Sequence, residues 1–157
     1  MKVLELRRHA IRDPDADRLS GAGRAQAEDA GRSARVTYHA VFVSPAQRAA
    51  ETAAWFLRGA GQQLPEHAVI PGLAGNDASG GSPEGMAAGV RALLDRLSDG
   101  ERGLAFSHTP FVERAAFALS GREIRPLAEC EGIVVTLSDD GAIDVTELRS
   151  DAGLPST

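Results

Sequence analysis

Val41-Phe42-Val43-Ser44-Pro45-Ala46-Gln47-Arg48 is the stretch that decides the fold. Three β-branched and aromatic residues make a short strand. A helix start follows at once: Ser44 suits the cap, Pro45 the first helical position, and Gln47 completes a capping box. Ala46, Ala49, Ala50, Ala53, Ala54 and Leu57 then fall on one helical face. A strand that runs straight into an amphipathic helix is the unit of an α/β fold.

The same alternation extends in both directions. Val3 to Arg7 reads as a buried strand, and Ser20 caps an Ala-rich, glycine-interrupted helix from Gly21 to Ala34. Val69-Ile70 is a weak third strand. Gly72 to Gly85 reads as a long loop. Ser82-Pro83 opens a helix that buries Met86, Val90, Leu93, Leu94 and Leu97. Leu104 to Phe106 is the next strand, and Thr109-Pro110 opens a helix burying Val112, Ala115, Ala116 and Leu119. Ile133 to Leu137 and Ile143 to Leu148, joined by Asp139-Asp140-Gly141, form a terminal hairpin, and the residues after Ser150 read as a frayed tail. The expected architecture is a three-layer α/β sandwich: a mostly parallel central sheet, helices on both faces, and a C-terminal antiparallel hairpin. Residues 1–157 are expected to form a single domain.

Composition narrows the function classes. Apolar residues at 43% place the chain among globular proteins. A net charge of −5 argues against a nucleic-acid partner. No apolar run approaches the ~20 residues of a membrane helix. Charges at Lys2, Glu5, Arg7 and Arg8 interrupt any signal peptide. Cys130 is the lone cysteine, which excludes an internal disulfide and fits a reducing compartment. A cytoplasmic protein is the expectation.

In open parallel sheets, ligands bind beyond the carboxyl ends of the strands. Three segments lie there: Arg8-His9, Ser44 to Arg48, and Ser107-His108. Two arginines, two histidines and two helix starts on one rim form a place for a dianionic phosphoryl group. Helix N-termini attract anions, and guanidinium groups donate paired hydrogen bonds to phosphate. His39 and His67 lack partners at metal-ligand spacing, and Gly21-Ala22-Gly23 lacks the dinucleotide fingerprint. No metal or cofactor is expected.

These residues carry a specific resemblance. Leu6-Arg7-Arg8-His9-Ala10 resembles the Leu-x-Arg-His-Gly signature of the histidine phosphatase superfamily, also called phosphoglycerate-mutase-like. Leu19-Ser20-Gly21-Ala22-Gly23-Arg24-Ala25-Gln26-Ala27 is similar to that family's first-helix motif. Ser44-Pro45-Ala46-Gln47-Arg48-Ala49-Ala50-Glu51-Thr52-Ala53 is similar to its Ser-Pro-x-x-Arg-Ala-x-x-Thr-Ala segment, and Ser107-His108 to its second histidine. The short length and Ser107-His108-Thr109-Pro110 look most like the SixA-type phosphohistidine phosphatases.

The resemblance implies that His9 attacks phosphorus and becomes phosphohistidine. Arg8, Arg48 and His108 would hold the phosphoryl oxygens, with Ser44 a further candidate ligand, and water would release phosphate. The substrate would be a phosphorylated small molecule or a phosphohistidine protein. The alternatives are a mutase-like phosphotransferase and a non-catalytic phosphate-binding module. Ala10 departs from the family's glycine but stays small. The family's ester-cleaving members carry a proton-donating glutamate after the third strand. Here that region reads Pro71-Gly72-Leu73-Ala74-Gly75-Asn76-Asp77, so Asp77 is the candidate donor, ahead of Glu84 and Asp13. The phytase-like branch carries its acid after the second histidine, where this chain has Thr109. Without a well-placed acid, alkyl phosphates are expected to be poorer substrates than phosphohistidine or activated aryl phosphates.

Overall fold

The computed structural model describes residues 1–63, 67–74 and 82–150. The elements follow in the order β1 (Lys2–Arg8), α1 (Gly21–Ser33), β2 (Ala40–Val43), α2 (Gln47–Gly59), β3 (Ala68–Val69), a 3₁₀ turn (Pro71–Ala74), α3 (Pro83–Asp95), β4 (Arg102–Ser107), α4 (Phe111–Ser120), β5 (Gly132–Leu137) and β6 (Ile143–Leu148). The sheet order is β3-β2-β4-β1-β5-β6. β1, β2, β3 and β4 are mutually parallel, while β5 runs antiparallel to β1 and pairs with β6 as the expected hairpin. The α/β sandwich expected from the sequence is the fold observed. The expected Gly72–Gly85 loop begins within the 3₁₀ turn, and its middle lies outside the described residues, as does the tail after Ser150.

Strand composition explains the layers. The central strands are apolar at consecutive positions because both faces are covered. Leu4, Leu6, Phe42 and Ala105 face α3 and α4, packing with Met86, Val90, Leu94, Val112 and Ala115. Val41, Val43, Leu104 and Phe106 face the other way, onto Ala49, Ala53, Phe56 and Leu57 of α2. Glu5 is the exception on that second face and is only 2% exposed. Its carboxylate accepts from Arg7 Nε (2.9 Å), Tyr38 Oη (2.8 Å) and Arg102 Nε (2.7 Å), so the buried charge is fully partnered.

The glycines of α1 have a packing role. Helices α1 and α2 cross at Gly31 and Gly59, where an added Cβ would overlap the carbonyl oxygens of Phe56 and Glu28 respectively. The sequence that weakens α1 as an isolated helix is what lets it lie against α2.

Two helix starts differ from expectation. Ser20 and Ser82 do cap α1 and α3, accepting from the backbone N–H of Gly23 and Gly85. Ser44, however, does not cap α2. The helix begins at Gln47 and has no side-chain cap from its own N-cap residue, Ala46. Helix α4 likewise begins at Phe111, one residue past the Thr109-Pro110 pair. The reason in α2 is tertiary and lies in the site.

Candidate active site

Because β1, β2 and β4 are parallel and adjacent, their carboxyl ends share one edge. Arg8 pairs with Ser107 across β1 and β4, and Val43 lies opposite Phe106 across β2 and β4. The next residues of each strand therefore converge. His9 N donates to Ser107 O at 3.0 Å, and Ser44 N donates to Phe106 O at 3.1 Å.

A pocket of about 680 Å³ opens at this edge, lined by Arg8, His9, Arg12, Arg48, His108 and Glu129 among others. His9 sits at its base, 6% exposed. His9 Nδ1 lies 2.7 Å from the carbonyl oxygen of Ala10. A carbonyl only accepts, so Nδ1 carries the ring proton and Nε2 presents a lone pair. Arg48 Nε donates to that lone pair at 3.3 Å. The ring is fixed through its neighbour: Ala10 N donates to Thr52 Oγ1 (3.0 Å), and Thr52 Oγ1 donates to Arg48 O (2.7 Å).

His108 stands edge-on to His9, with ring centroids 5.2 Å apart. Its Nδ1 faces Arg48 Nη2 at 3.3 Å, and its Nε2 lies 2.7 Å from Ser44 Oγ. A guanidinium only donates, so Nδ1 accepts and Nε2–H donates to the serine. Ser44 Oγ also accepts from Ala46 N at 3.3 Å, before the first helical residue, so it caps none of the N–H groups of α2 itself. Asp17 caps that helix instead: its carboxylate accepts from Gln47 N (2.9 Å) and Arg48 N (3.2 Å), and from Arg48 Nη1 (2.8 Å). One aspartate, thirty-one positions before Arg48, satisfies the helix N-terminus and holds the arginine.

Burial, then the Arg48 and His9 charges, pushes the His108 pKa down to about 4. Burial, followed by Arg48 and Arg8, lowers His9 as well, against a smaller upward pull from Ala10 O and Glu129. Both imidazoles are neutral at neutral pH. A dianion placed between the guanidinium groups offsets their field and favours protonation of His108.

Arg8 lines the same pocket. Its Nη1 donates to Leu127 O at 2.9 Å, its Nη2 lies 3.7 Å from Glu129 Oε2, and its buried Nε has no acceptor among the described residues. The four principal residues singled out from sequence, Arg8, His9, Arg48 and His108, are thus together, and Ser44 touches one of them. Asp77 lies outside the described residues. Glu84 sits in the first turn of α3 and Asp13 in a turn with Arg18; neither lines the pocket. Sequence reasoning assigned no role to Asp17, Thr52, Arg12 or Glu129. Thr52 stood in a quoted motif, whereas Asp17 and Glu129 carried only loop signals.

A larger cleft, about 810 Å³, lies between α1 and the β5–β6 hairpin and shares only Glu129 with this pocket. Its cations are already paired, Arg7 with Glu5 and Arg149 with Glu131 and Glu147. The smaller pocket is the one with guanidinium groups facing an imidazole lone pair. Among the described residues there is no group of three or more metal-ligating side chains, and no helix long and apolar enough to cross a membrane.

The chain is similar to several solved structures. The protein histidine phosphatase SixA, complexed with tungstate, matches at 23% identity over 94% of this chain and 96% of that one, with a TM-score of 0.72. A phosphoserine phosphatase mutant from Entamoeba histolytica, in complex with phosphoserine, matches at 18% identity over 99% and 100%, with a TM-score of 0.74. A phosphoglycerate mutase from Bacillus anthracis str. Sterne matches at 13% identity over 93% and 92%, with a TM-score of 0.71. At these identities the likeness is one of fold. No curated protein sequence matches. The family model "Histidine phosphatase superfamily (branch 1)" matches residues 5–119, a stretch that runs through β1, β2 and β4 and every residue at the base of the pocket. On that match, the chain belongs to the histidine phosphatase superfamily.

Proposed function

We propose that this chain is a phosphatase that carries the phosphoryl group on His9 Nε2 and hydrolyses phosphomonoesters or phosphohistidine. The observation that carries this reading is the directed lone pair of a nearly buried imidazole, with Arg48 Nε at 3.3 Å and Arg8 in the same pocket. A neutral imidazole nitrogen is a competent nucleophile, and a covalent intermediate splits one hard displacement into two easier ones. Arg8, Arg48 and His108 hold the equatorial oxygens, neutralising charge as the P–N bond forms. Ser44 acts through His108, orienting its ring. Residues 1–157 make one catalytic domain, and the guanidinium groups supply the charge that the displacement needs without a divalent ion.

The test is a rapid quench. Brief exposure to labelled p-nitrophenyl phosphate should trap an acid-labile, base-stable phosphoenzyme in the wild type and none in His9→Ala, which should lose turnover while keeping its circular dichroism spectrum. A chelator should leave the wild-type rate unchanged, and vanadate should compete with substrate. Full activity in His9→Ala would overturn the mechanism, and restoration of a chelator-treated enzyme by a divalent ion would overturn its metal independence.

A further inference from the structure

In-line displacement at phosphorus places the leaving group opposite the attacking nitrogen. His9 occupies the base of the pocket at 6% exposure, so the leaving oxygen lies toward the mouth. Among the described residues that line the pocket, one carboxylate is present, Glu129. Its side chain is 33% exposed, and its Oε2 stands 3.7 Å from Arg8 Nη2.

The segment that carries Glu129 is held firmly. Cys130 N donates to the carbonyl oxygens of Arg8 (3.1 Å) and His9 (3.3 Å). Arg7 Nη1 donates to Cys130 O and Arg8 Nη1 to Leu127 O, both at 2.9 Å. Cys130 adopts φ 65°, a left-handed conformation that side chains rarely take. Glu131 secures the far side by accepting from Ala128 N and Ser150 N, both at 2.8 Å. A backbone held in an unfavourable conformation by this many contacts fixes where the flanking side chain emerges. Here it emerges between the nucleophile's own strand and the pocket.

We propose that Glu129 is the proton donor to the leaving oxygen, taking the place of the glutamate missing after β3. The assignment rests on the phosphatase reading above. In the first step His9 Nε2 forms the bond to phosphorus, the phosphorus–oxygen bond breaks, and its electron pair takes the proton from the Glu129 carboxyl. In the second step a water oxygen attacks phosphorus while the Glu129 carboxylate accepts one of its protons. The P–N bond breaks, its electron pair returns to His9, and phosphate departs with the carboxyl re-formed. Alkyl phosphates then fall within reach of this enzyme, against the expectation from sequence.

Leaving-group dependence tests the assignment. An alkoxide needs the proton and p-nitrophenolate hardly does. Glu129→Gln keeps the side chain's shape, and its melting temperature is measured beside the wild type. It should lower kcat/KM, which reads the phosphorylation step alone, on glycerol 2-phosphate by ~10²–10⁴-fold and on p-nitrophenyl phosphate by less than ~10-fold. Glu129→Asp should recover part of the alkyl activity. Equal losses on both esters would make Glu129 a residue that merely positions Arg8, and no loss on the alkyl ester would leave it without a role; either overturns the proposal. So would a wild type active on the aryl ester alone. A wild type that hydrolyses a phosphohistidine peptide but neither ester overturns this assignment and keeps the phosphatase reading, whereas one that turns over none of the three and traps no phosphoenzyme removes both.

Discussion

Asp17 grips Arg48 at two atoms, its Oδ1 lying 2.8 Å from the guanidinium Nη1 and 3.2 Å from the backbone nitrogen. Burial pushes the Asp17 pKa up, but the N–H groups of Gln47 and Arg48 and the Arg48 guanidinium outweigh it and hold it below its usual value. The arginine proposed to clamp the phosphoryl group is therefore itself clamped.

Asp17→Asn should weaken that grip while leaving an acceptor for the helix. We expect kcat/KM to fall about tenfold with kcat affected more than KM, since misplacing a charge-stabilising group costs most in the transition state. Asp17→Ala should add a loss of about 1 kcal/mol in stability from the uncapped helix. Chemical denaturation beside steady-state kinetics separates the two effects, and an Asp17→Asn enzyme with wild-type kinetics would show that Arg48 holds its place unaided.

The two histidines set a pH dependence with a definite sign. Both bind a proton less readily in the folded chain than at the ordinary value of 6.5, His108 only at about 4. Above 6.5 neither affects stability; below it, the unfolded chain takes up protons that the folded chain refuses. Stability should therefore fall as pH drops from about 6.5 toward 4, by on the order of 1–2 kcal/mol after solvent screening. Urea titrations across this range check it, and His108→Gln should flatten part of the slope. A slope of the opposite sign would mean the imidazoles are protonated in the free site.

Gly31→Ala reverses a familiar rule. In an open helix the change is worth about 1 kcal/mol of stabilisation. Here the new Cβ would meet the Phe56 carbonyl oxygen, which is backbone and cannot turn aside. A net loss of about 1–3 kcal/mol is expected from overpacking. Gly89→Ala in α3, where nothing lies within 4 Å of the added carbon, should show the ordinary gain and serves as the control in thermal melts. A Gly31→Ala protein as stable as Gly89→Ala would mean that the two helices separate freely.

Sequence by itself determined whatever depends on local periodicity. The run Val41 to Val43 is a strand because neighbouring apolar residues cover both faces of a buried sheet, Leu4 and Leu6 supply one such face of β1 around the buried Glu5, and the order of strands and helices leaves few other folds. Arg8, His9, Arg48 and His108 were legible because Arg8 ends β1, His9 and His108 follow directly on β1 and β4, and Arg48 lies in the first turn of the helix after β2, and parallel neighbours bring those ends to one edge. The tertiary structure decided the rest, because those groups chose partners by distance in space. Ser44 reads as a cap until His108, sixty-four positions away, takes its hydroxyl, and Asp17 takes the helix start in its stead. Glu129 is an ordinary loop residue in the sequence. Antiparallel pairing of β5 with β1, which sets Gly132 opposite Arg7, carries it back to the strand that leads into His9 and into the pocket.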